Sequence, residues 1–293
     1  MSQALLEAAA RTRVLVIGSL NVDLILEADS EPSDESAAIV RRASTQVGGH
    51  AGNCASALAT LGMSVSLVAA VGTDADGDLL LADLCERGID VRGVRRLPGQ
   101  PTGRVVIPVF GDKHYMLLCR GANDFLAAED VQEALRESYD AVLLFDPSRE
   151  ALLAVDTSSQ LCWTPGGIYS DDAVAAQVLP RCEVVFVNRA EHRQLSGHAV
   201  VAERTQLVMT LGAEGSLLRH NGREWRAPAR PVPVVDPTGA GDAYAAAYVL
   251  ALLAGLAPAD RLVIANSGGA LAVSAVGARG RLATLHELIE ASS

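Results

Sequence analysis

The sequence lacks the patterns by which a chain announces a membrane, a disulfide framework or a tight metal centre. No run of 18 uncharged apolar residues with anchoring flanks occurs. The alanine-rich stretch 243–259 holds two tyrosines and runs into Gly-Leu-Ala-Pro, so it reads as a buried helix. The opening MSQALLEAAARTR has no basic start, and Glu7 interrupts its apolar run, so it does not read as a secretion signal. Five cysteines (Cys54, Cys85, Cys119, Cys162 and Cys182) are an odd number without a CxxC pair, and no HxxxH is present. This speaks against a disulfide scaffold or a zinc site and fits a reducing, cytoplasmic setting. No GxGxxG follows the first apolar run and no GxxxxGK[ST] occurs, which removes the dinucleotide-binding and P-loop signatures. Positive charge is also short: 24 Lys and Arg against 35 Asp and Glu leave a formal charge of −11. A nucleic-acid partner would want a basic face; a small anion would not, because a nest of backbone N–H groups can hold a phosphate in an acidic protein.

The 293 residues that remain are ordinary in bulk, 49% apolar and 20% charged, enough for one or two domains. No repeat, low-complexity tract or long linker divides them, and a single domain spanning 1–293 is expected. Apolar, β-branched runs at 13–18, 65–71, 140–145, 160–164, 183–187 and 206–211 alternate with helical stretches. Helices are expected at 52–61, 77–87, 128–137 and 171–179. That alternation is the mark of βαβ units on a parallel sheet covered on both faces, an α/β doubly wound fold. Segments 23–43 and 91–119 differ. They carry alternating strand-like runs (103–110 and 114–119) around a turn at Gly111-Asp112-Lys113, without a helix between. A small β-sheet lid, formed by about 20–45 and 92–120, is therefore expected over a core of about 13–19, 46–91 and 121–290.

The densest chemistry lies in Val234-Val-Asp-Pro-Thr-Gly-Ala-Gly-Asp-Ala-Tyr244. Asp236-Pro237-Thr238-Gly239 has the residues of a type I turn, and Gly239-Ala240-Gly241 would let a ligand approach the main chain closely. An alanine-rich helix follows at once, so unpaired N–H groups and the dipole favour an anion there. Asp242, in the first turn, could take a proton from a hydroxyl beside that anion; the plainer alternative is a helix-capping carboxylate.

Four further motifs occur in order: Gly18-Ser-Leu-Asn-Val-Asp23, Gly48-Gly-His-Ala-Gly-Asn53, Asn188-Arg-Ala-Glu191 and Thr210-Leu-Gly-Ala-Glu-Gly215. With the Asp236–Asp242 segment they resemble the signatures of the ribokinase-like sugar kinases, the phosphofructokinase-B family, over about residues 13–280. The resemblance implies a three-layer α/β/α sandwich with a β-sheet lid. It also implies ATP-dependent phosphorylation of a sugar or sugar-like hydroxyl. Asp242 would be the general base, and the backbone N–H groups of Gly239, Ala240 and Gly241 the anion hole. Asn21, Asp23, Gly48, Gly49 and Asn53 would bind the acceptor. Asn188, Glu191, Thr210, Gly212, Gly215 and Asn266 would border ATP, with Glu191 holding Mg²⁺ through water and Asp236 near a monovalent cation, K⁺.

Each position has a plainer reading as well. Asn21 and Asp23 could serve a strand-end turn, Asn53 a helix start, and Asn188 with Glu191 a helix cap. Asn266 could be a helix-packing amide, and Arg104 and Arg120 are read as surface charge. His50 departs from the lysine that ribokinases usually carry and reads either as a pocket-border residue or as a solvated loop residue. Pro237 stands where a polar residue is frequent, and the segment between Phe145 and Trp163 is short for a crossover helix. A sugar kinase leads. A nucleoside kinase of the same family is the alternative, and a catalytically silent sugar or nucleotide sensor on the same fold a further one. A sugar phosphate is disfavoured because no basic residue is placed for it. A homodimer joined through the lid is expected, with no nucleic-acid or membrane partner.

Overall fold

Side chains of the first strand, β1 (Arg13–Ile17), go alternately to two sides. Val14 and Val16 enter one buried cluster, Leu15 and Ile17 another. A strand apolar on both faces needs cover on both. The computed structural model, which describes residues 1–111, 113–170, 172–198 and 201–291, supplies it. Parallel strands β4 (Ser64–Gly72) and β5 (Asp90–Leu97) flank β1 on one side. On the other stand β9 (Ala141–Leu144), β10 (Gln160–Trp163), β11 (Val184–Asn188) and β12 (Gln206–Thr210). The antiparallel strands β13 (Ser216–His220) and β14 (Arg223–Ala227) close that edge, giving the order β14-β13-β12-β11-β10-β9-β1-β4-β5.

One face is covered by α1 (Ser2–Arg11), α2 (His50–Thr60), α3 (Ala75–Glu86), α9 (Ala240–Leu253), α10 (Pro258–Ala272) and α11 (Leu285–Ala291). The other is covered by α4 (Ala128–Ala134), α5 (Arg149–Ala154), α6 (Gly166–Tyr169), α7 (Ala175–Val178) and α8 (Arg189–His198). This is the expected three-layer sandwich. Among the described residues no helix is long and apolar enough to cross a membrane; the alanine-rich α9 is a core helix packed against α2 and α10. The small side chains of Ala51, Cys54 and Ala55 on α2 and of Ala243, Ala246 and Ala247 on α9 are all buried in that core and permit close approach.

The lid is a second sheet, with β3 (Val40–Gly48) beside β2 (Asn21–Ala28), then β6 (Gly103–Phe110). Strands β7 (Lys113–His114) and β8 (Leu117–Cys119) both pair with β6. The side-chain amide of Asn123 ties lid to core. It accepts from the Leu20 N–H (3.0 Å) and donates to the Leu20 carbonyl (3.1 Å), to Asn21 Oδ1 (2.9 Å) and to the Arg120 carbonyl (3.0 Å).

Three boundaries differ from expectation. Residues 92–97, assigned above to the lid, belong to β5, which pairs in parallel with β4 in the central sheet. The helix α3 between them makes a βαβ unit, and Val91 and Val94 pack on the core. The strand expected at 114–119 breaks into β7 and β8 around Tyr115 and Met116. The helix expected at 171–179 is reduced to the four residues of α7, followed by a 3₁₀ turn at Leu179–Arg181; Asp171, and Asp112 of the lid turn, lie outside the described residues.

Candidate active site

Open parallel sheets place their ligand sites beyond the carboxyl ends of the strands. Here the ends of β1, β9, β11 and β12 meet the beginnings of α2, α8 and α9 under the lid. They surround a cavity of about 690 Å³. Asn21, Asp23, Gly49, Asn53, Asn188, Glu191, Thr210, Gly239, Gly241 and Asp242 all line it. Ten positions drawn from five sequence motifs thus converge on one cleft.

The start of α9 is built by its turn. Gly239 caps the helix at φ +74°, a left-handed conformation that favours glycine, and a side chain there would press on Ala278. Asp236 holds the turn with both carboxylate oxygens, Oδ1 accepting from the Thr238 N–H (2.9 Å) and Oδ2 from the Gly277 N–H (2.8 Å). Burial alone would raise its pKa, but those donors outweigh it and hold the carboxyl below the usual value. With one backbone N–H on each oxygen, Asp236 organises the turn, and it stands outside the cavity lining. Ala240 also departs from expectation, since its N–H donates to the Pro237 carbonyl (3.2 Å). First-turn donors without an intrahelical partner are then those of Gly241 and Asp242.

Asp242 is buried, and its Oδ2 accepts from Asn53 Nδ2 at 2.9 Å. Burial pushes its pKa up to about 6, against the lowering influence of His50, the Asn53 hydrogen bond and Arg279. Asp23 is buried too and rises to about 6 for the same reason, with Arg279 and His50 opposing. Its Oδ1 has no hydrogen-bond partner among the described residues, an unmet acceptor at the cavity wall.

Asp146, which follows β9, is a residue the motif reading missed, although an acid directly after an apolar strand is a signal of this site class. Its Oδ1 accepts from Ser19 Oγ (2.7 Å), and Oδ2 lies 3.6 Å from both His50 Nδ1 and Arg120 Nη1. Burial would raise its pKa; His50, Ser19 and Arg120 together hold it below the ordinary value. His50 therefore borders the cavity. Burial opposes its charge, but Asp146 and Asp242 outweigh that and raise its pKa. Arg120 is not a surface charge: it also donates to the carbonyls of Asp146 (3.0 Å) and Pro147 (3.2 Å). Arg104 pairs with Asp76 at the lid margin.

Asn188 and Glu191 build the first turn of α8. Asn188 Oδ1 accepts from the N–H groups of Ala190 (2.8 Å) and Glu191 (2.9 Å), and Glu191 Oε2 accepts from the Asn188 N–H (2.8 Å). The second carboxylate oxygen of Glu191 stands outside this cap. No group of three or more His, Cys, Asp or Glu that could cage a metal occurs among the described residues. A lone carboxylate at a cavity wall fits a magnesium ion held mainly by phosphate and water, not one in a protein cage.

Some expected positions stay outside the cavity. Gly48 lies behind it and Gly212 and Gly215 close the β12–β13 hairpin, so only Thr210 of that motif lines the wall. Asn266 is a packing amide. Its Oδ1 accepts from Ser216 Oγ (2.9 Å), and its Nδ2 donates to the carbonyls of Ala227 (3.2 Å) and Pro228 (2.9 Å).

Comparison with known proteins gives this architecture its class. The profile of the pfkB family carbohydrate kinase matches residues 11–285. The chain is 27% identical to a ribokinase of Lactococcus lactis over 94% of this chain and 96% of that one. Among solved structures, Arabidopsis thaliana ribokinase complexed with ribose and ATP has a TM-score of 0.84 at 23% identity, covering 96% of this chain and 99% of that one. A Burkholderia thailandensis nucleoside kinase in complex with inosine has a TM-score of 0.83 at 22% identity, covering 95% and 97%. The chain belongs to the pfkB family of carbohydrate kinases and has the ribokinase fold.

Proposed function

We propose that this protein transfers the γ-phosphoryl group of ATP to a hydroxyl of an uncharged sugar or sugar-bearing acceptor, with Asp242 as general base. The observation that carries the proposal is the buried Asp242 carboxylate at the start of α9, held by Asn53 at the wall of the cavity. A base with a pKa of about 6 is ionised at neutral pH yet basic enough to accept a hydroxyl proton as the oxygen attacks. The N–H groups of Gly241 and Asp242 would stabilise charge on the phosphoryl group in transfer. Magnesium would neutralise charge on the ATP phosphates, with Glu191 holding it through water.

The acceptor half of the cavity carries Asp23, Asp146 and Asp242. Three carboxylates suit an acceptor rich in hydroxyl donors and oppose one bearing phosphate, and the unmet Asp23 Oδ1 is a place for such a donor. The lid supplies Val105, Ile107, Met116 and Leu118 to the same cavity. This apolar wall favours a nucleoside as the second acceptor class, its base lying against the lid. Loss of the carboxylate chemistry alone would leave a sugar or nucleotide sensor.

ADP release from MgATP across pentoses, hexoses, sugar acids and nucleosides tests the proposal, with Asp242→Asn alongside. Turnover on one acceptor class, lowered about 10²–10⁴-fold in the variant, is expected. Full activity in the variant rules out the general base, and nucleotide binding with no turnover on any acceptor favours the sensor.

The chain is proposed to act as one domain in the cytoplasm and as a homodimer. Exposed Tyr115 and Leu117 on the lid, which do not line the cavity, support the dimer. Light scattering that finds only monomer at micromolar concentration would refute it.

A further inference from the structure

Arg279 lies in the loop between α10 and α11, apart from every motif that marks the site. Its side chain is only 3% exposed. A buried guanidinium is strongly destabilising unless its donors are met, and here each of its three nitrogens has a partner. It pairs through Nη1 with Asp83 of α3, donates through Nη2 to the Gly48 carbonyl (2.9 Å), and donates through Nε to Asn53 Oδ1 (3.1 Å). Gly52 of α2 makes room for it, since a Cβ at that position would overlap Nη2.

The bond to Asn53 fixes which way that amide faces. With Oδ1 turned to the guanidinium, Nδ2 is turned to Asp242 Oδ2, at 2.9 Å. The flipped amide would set its oxygen against the carboxylate and its NH₂ against a cation, two repulsive contacts replacing two attractive ones. Asp83, Arg279, Asn53 and Asp242 thus form one line of charge-assisted hydrogen bonds from α3 to the base.

We propose that Arg279 is a positioning residue of this kinase, anchored by Asp83 and acting through Asn53 to hold the Asp242 carboxylate oriented and ionised for proton abstraction. The inference rests on Asp242 being the general base. Other groups facing Asp242 are His50 and Cys54 from α2, Asp146 from the loop after β9, and Asp23 from the lid. Asp146 and Asp23 disfavour its charge, and His50 and Arg279 favour it. Removing Arg279 leaves the carboxylates less opposed, so the base protonates at higher pH.

The test is a double-mutant cycle on the full chain, with the acceptor found above and pH–rate profiles for each variant. Arg279→Met is expected to lower kcat about tenfold or more, part of the 10²–10⁴ that a positioned base supplies. It should also move the acid limb of kcat/KM upward by about half a pH unit or more, with ATP affinity retained. Arg279→Lys, which returns the cation, moves that limb back toward the wild-type position. In an Asn53→Ala background, the further change at Arg279 lowers kcat by no more than about twofold, because its route to the base is already gone. Effects that multiply, or an acid limb that stays in place, overturn the inference. If Arg279→Met does not give a cooperative melt, the cycle runs with Arg279→Lys and the same coupling decides it. Undiminished turnover in Asp242→Asn sinks the general base itself, an outcome separate from additivity at Arg279.

Discussion

Replacing Asp242 by asparagine should lower turnover about 10²–10⁴-fold and make the protein more stable. The reason is the burial of the carboxylate. Its pKa stands at about 6 in the folded protein against 3.8 for an unperturbed aspartate. At about 1.4 kcal/mol per pH unit, the folded state ionises Asp242 at a disadvantage of about 3 kcal/mol. Asparagine keeps the shape and can still accept from Asn53 Nδ2, but it carries no charge to desolvate. The hydrogen bond from Asn53 is already contained in that pKa, so the gain at neutral pH is about 3 kcal/mol. For a chain of this size that is a rise in Tm of about 5 °C.

The pH dependence supplies the sharper check. Between pH 3.8 and about 6 the folded protein keeps a proton on Asp242 that the unfolded chain has lost, so rising pH removes stability from the wild type across that window. Above pH 6 the full penalty is present. The variant has none, so its advantage should be complete at pH 7.5 and about a third of that at pH 4.5. Calorimetry or thermal melts of both proteins at the two pH values measure it. A variant no more stable than wild type at pH 7.5, or one with an equal advantage at both, would refute the assignment of a strained, buried base.

Two further outcomes follow from named contacts. Asn53→Ala removes a hydrogen bond to a charged group, worth about 1.5–3 kcal/mol, so the acid limb of kcat/KM should rise by about one pH unit or more; a limb that stays near 6 would disconnect Asn53 from the base. Asn123→Ala leaves the buried Leu20 N–H unmet and releases Asn21. It should destabilise by about 1–3 kcal/mol and raise the acceptor KM more than that for ATP, and equal changes in the two KM values would count against Asn123 as a tether of the acceptor site.

Much of the cleft is legible in the sequence, because its residues sit in short local patterns. Asp242 follows a glycine-rich turn into a helix, Asn188 and Glu191 have capping spacing, and Asn21 and Asp23 directly follow an apolar run. The same local logic misled where two uses of a residue look alike. Asn266 and Ala240 carry groups able to bind a nucleotide, but the β13–α10 packing and the Pro237 turn engage those groups first. Residues 92–97 alternate like a lid strand, and only the βαβ crossover through α3 draws them into the central sheet.

Period and neighbours in the chain are enough to dictate strands apolar on both faces, an alanine-rich core helix, and turns that open helices toward a ligand. Tertiary structure decided the partners. Asp146 meets His50 and Arg120 across 96 and 26 positions of chain, and Arg279 reaches Asn53 across 226. Nothing in the local pattern of a lone arginine says which buried amide it will orient. That follows only once the small side chains of α2 and α9 have brought two helices together and the chain's last loop has closed behind them.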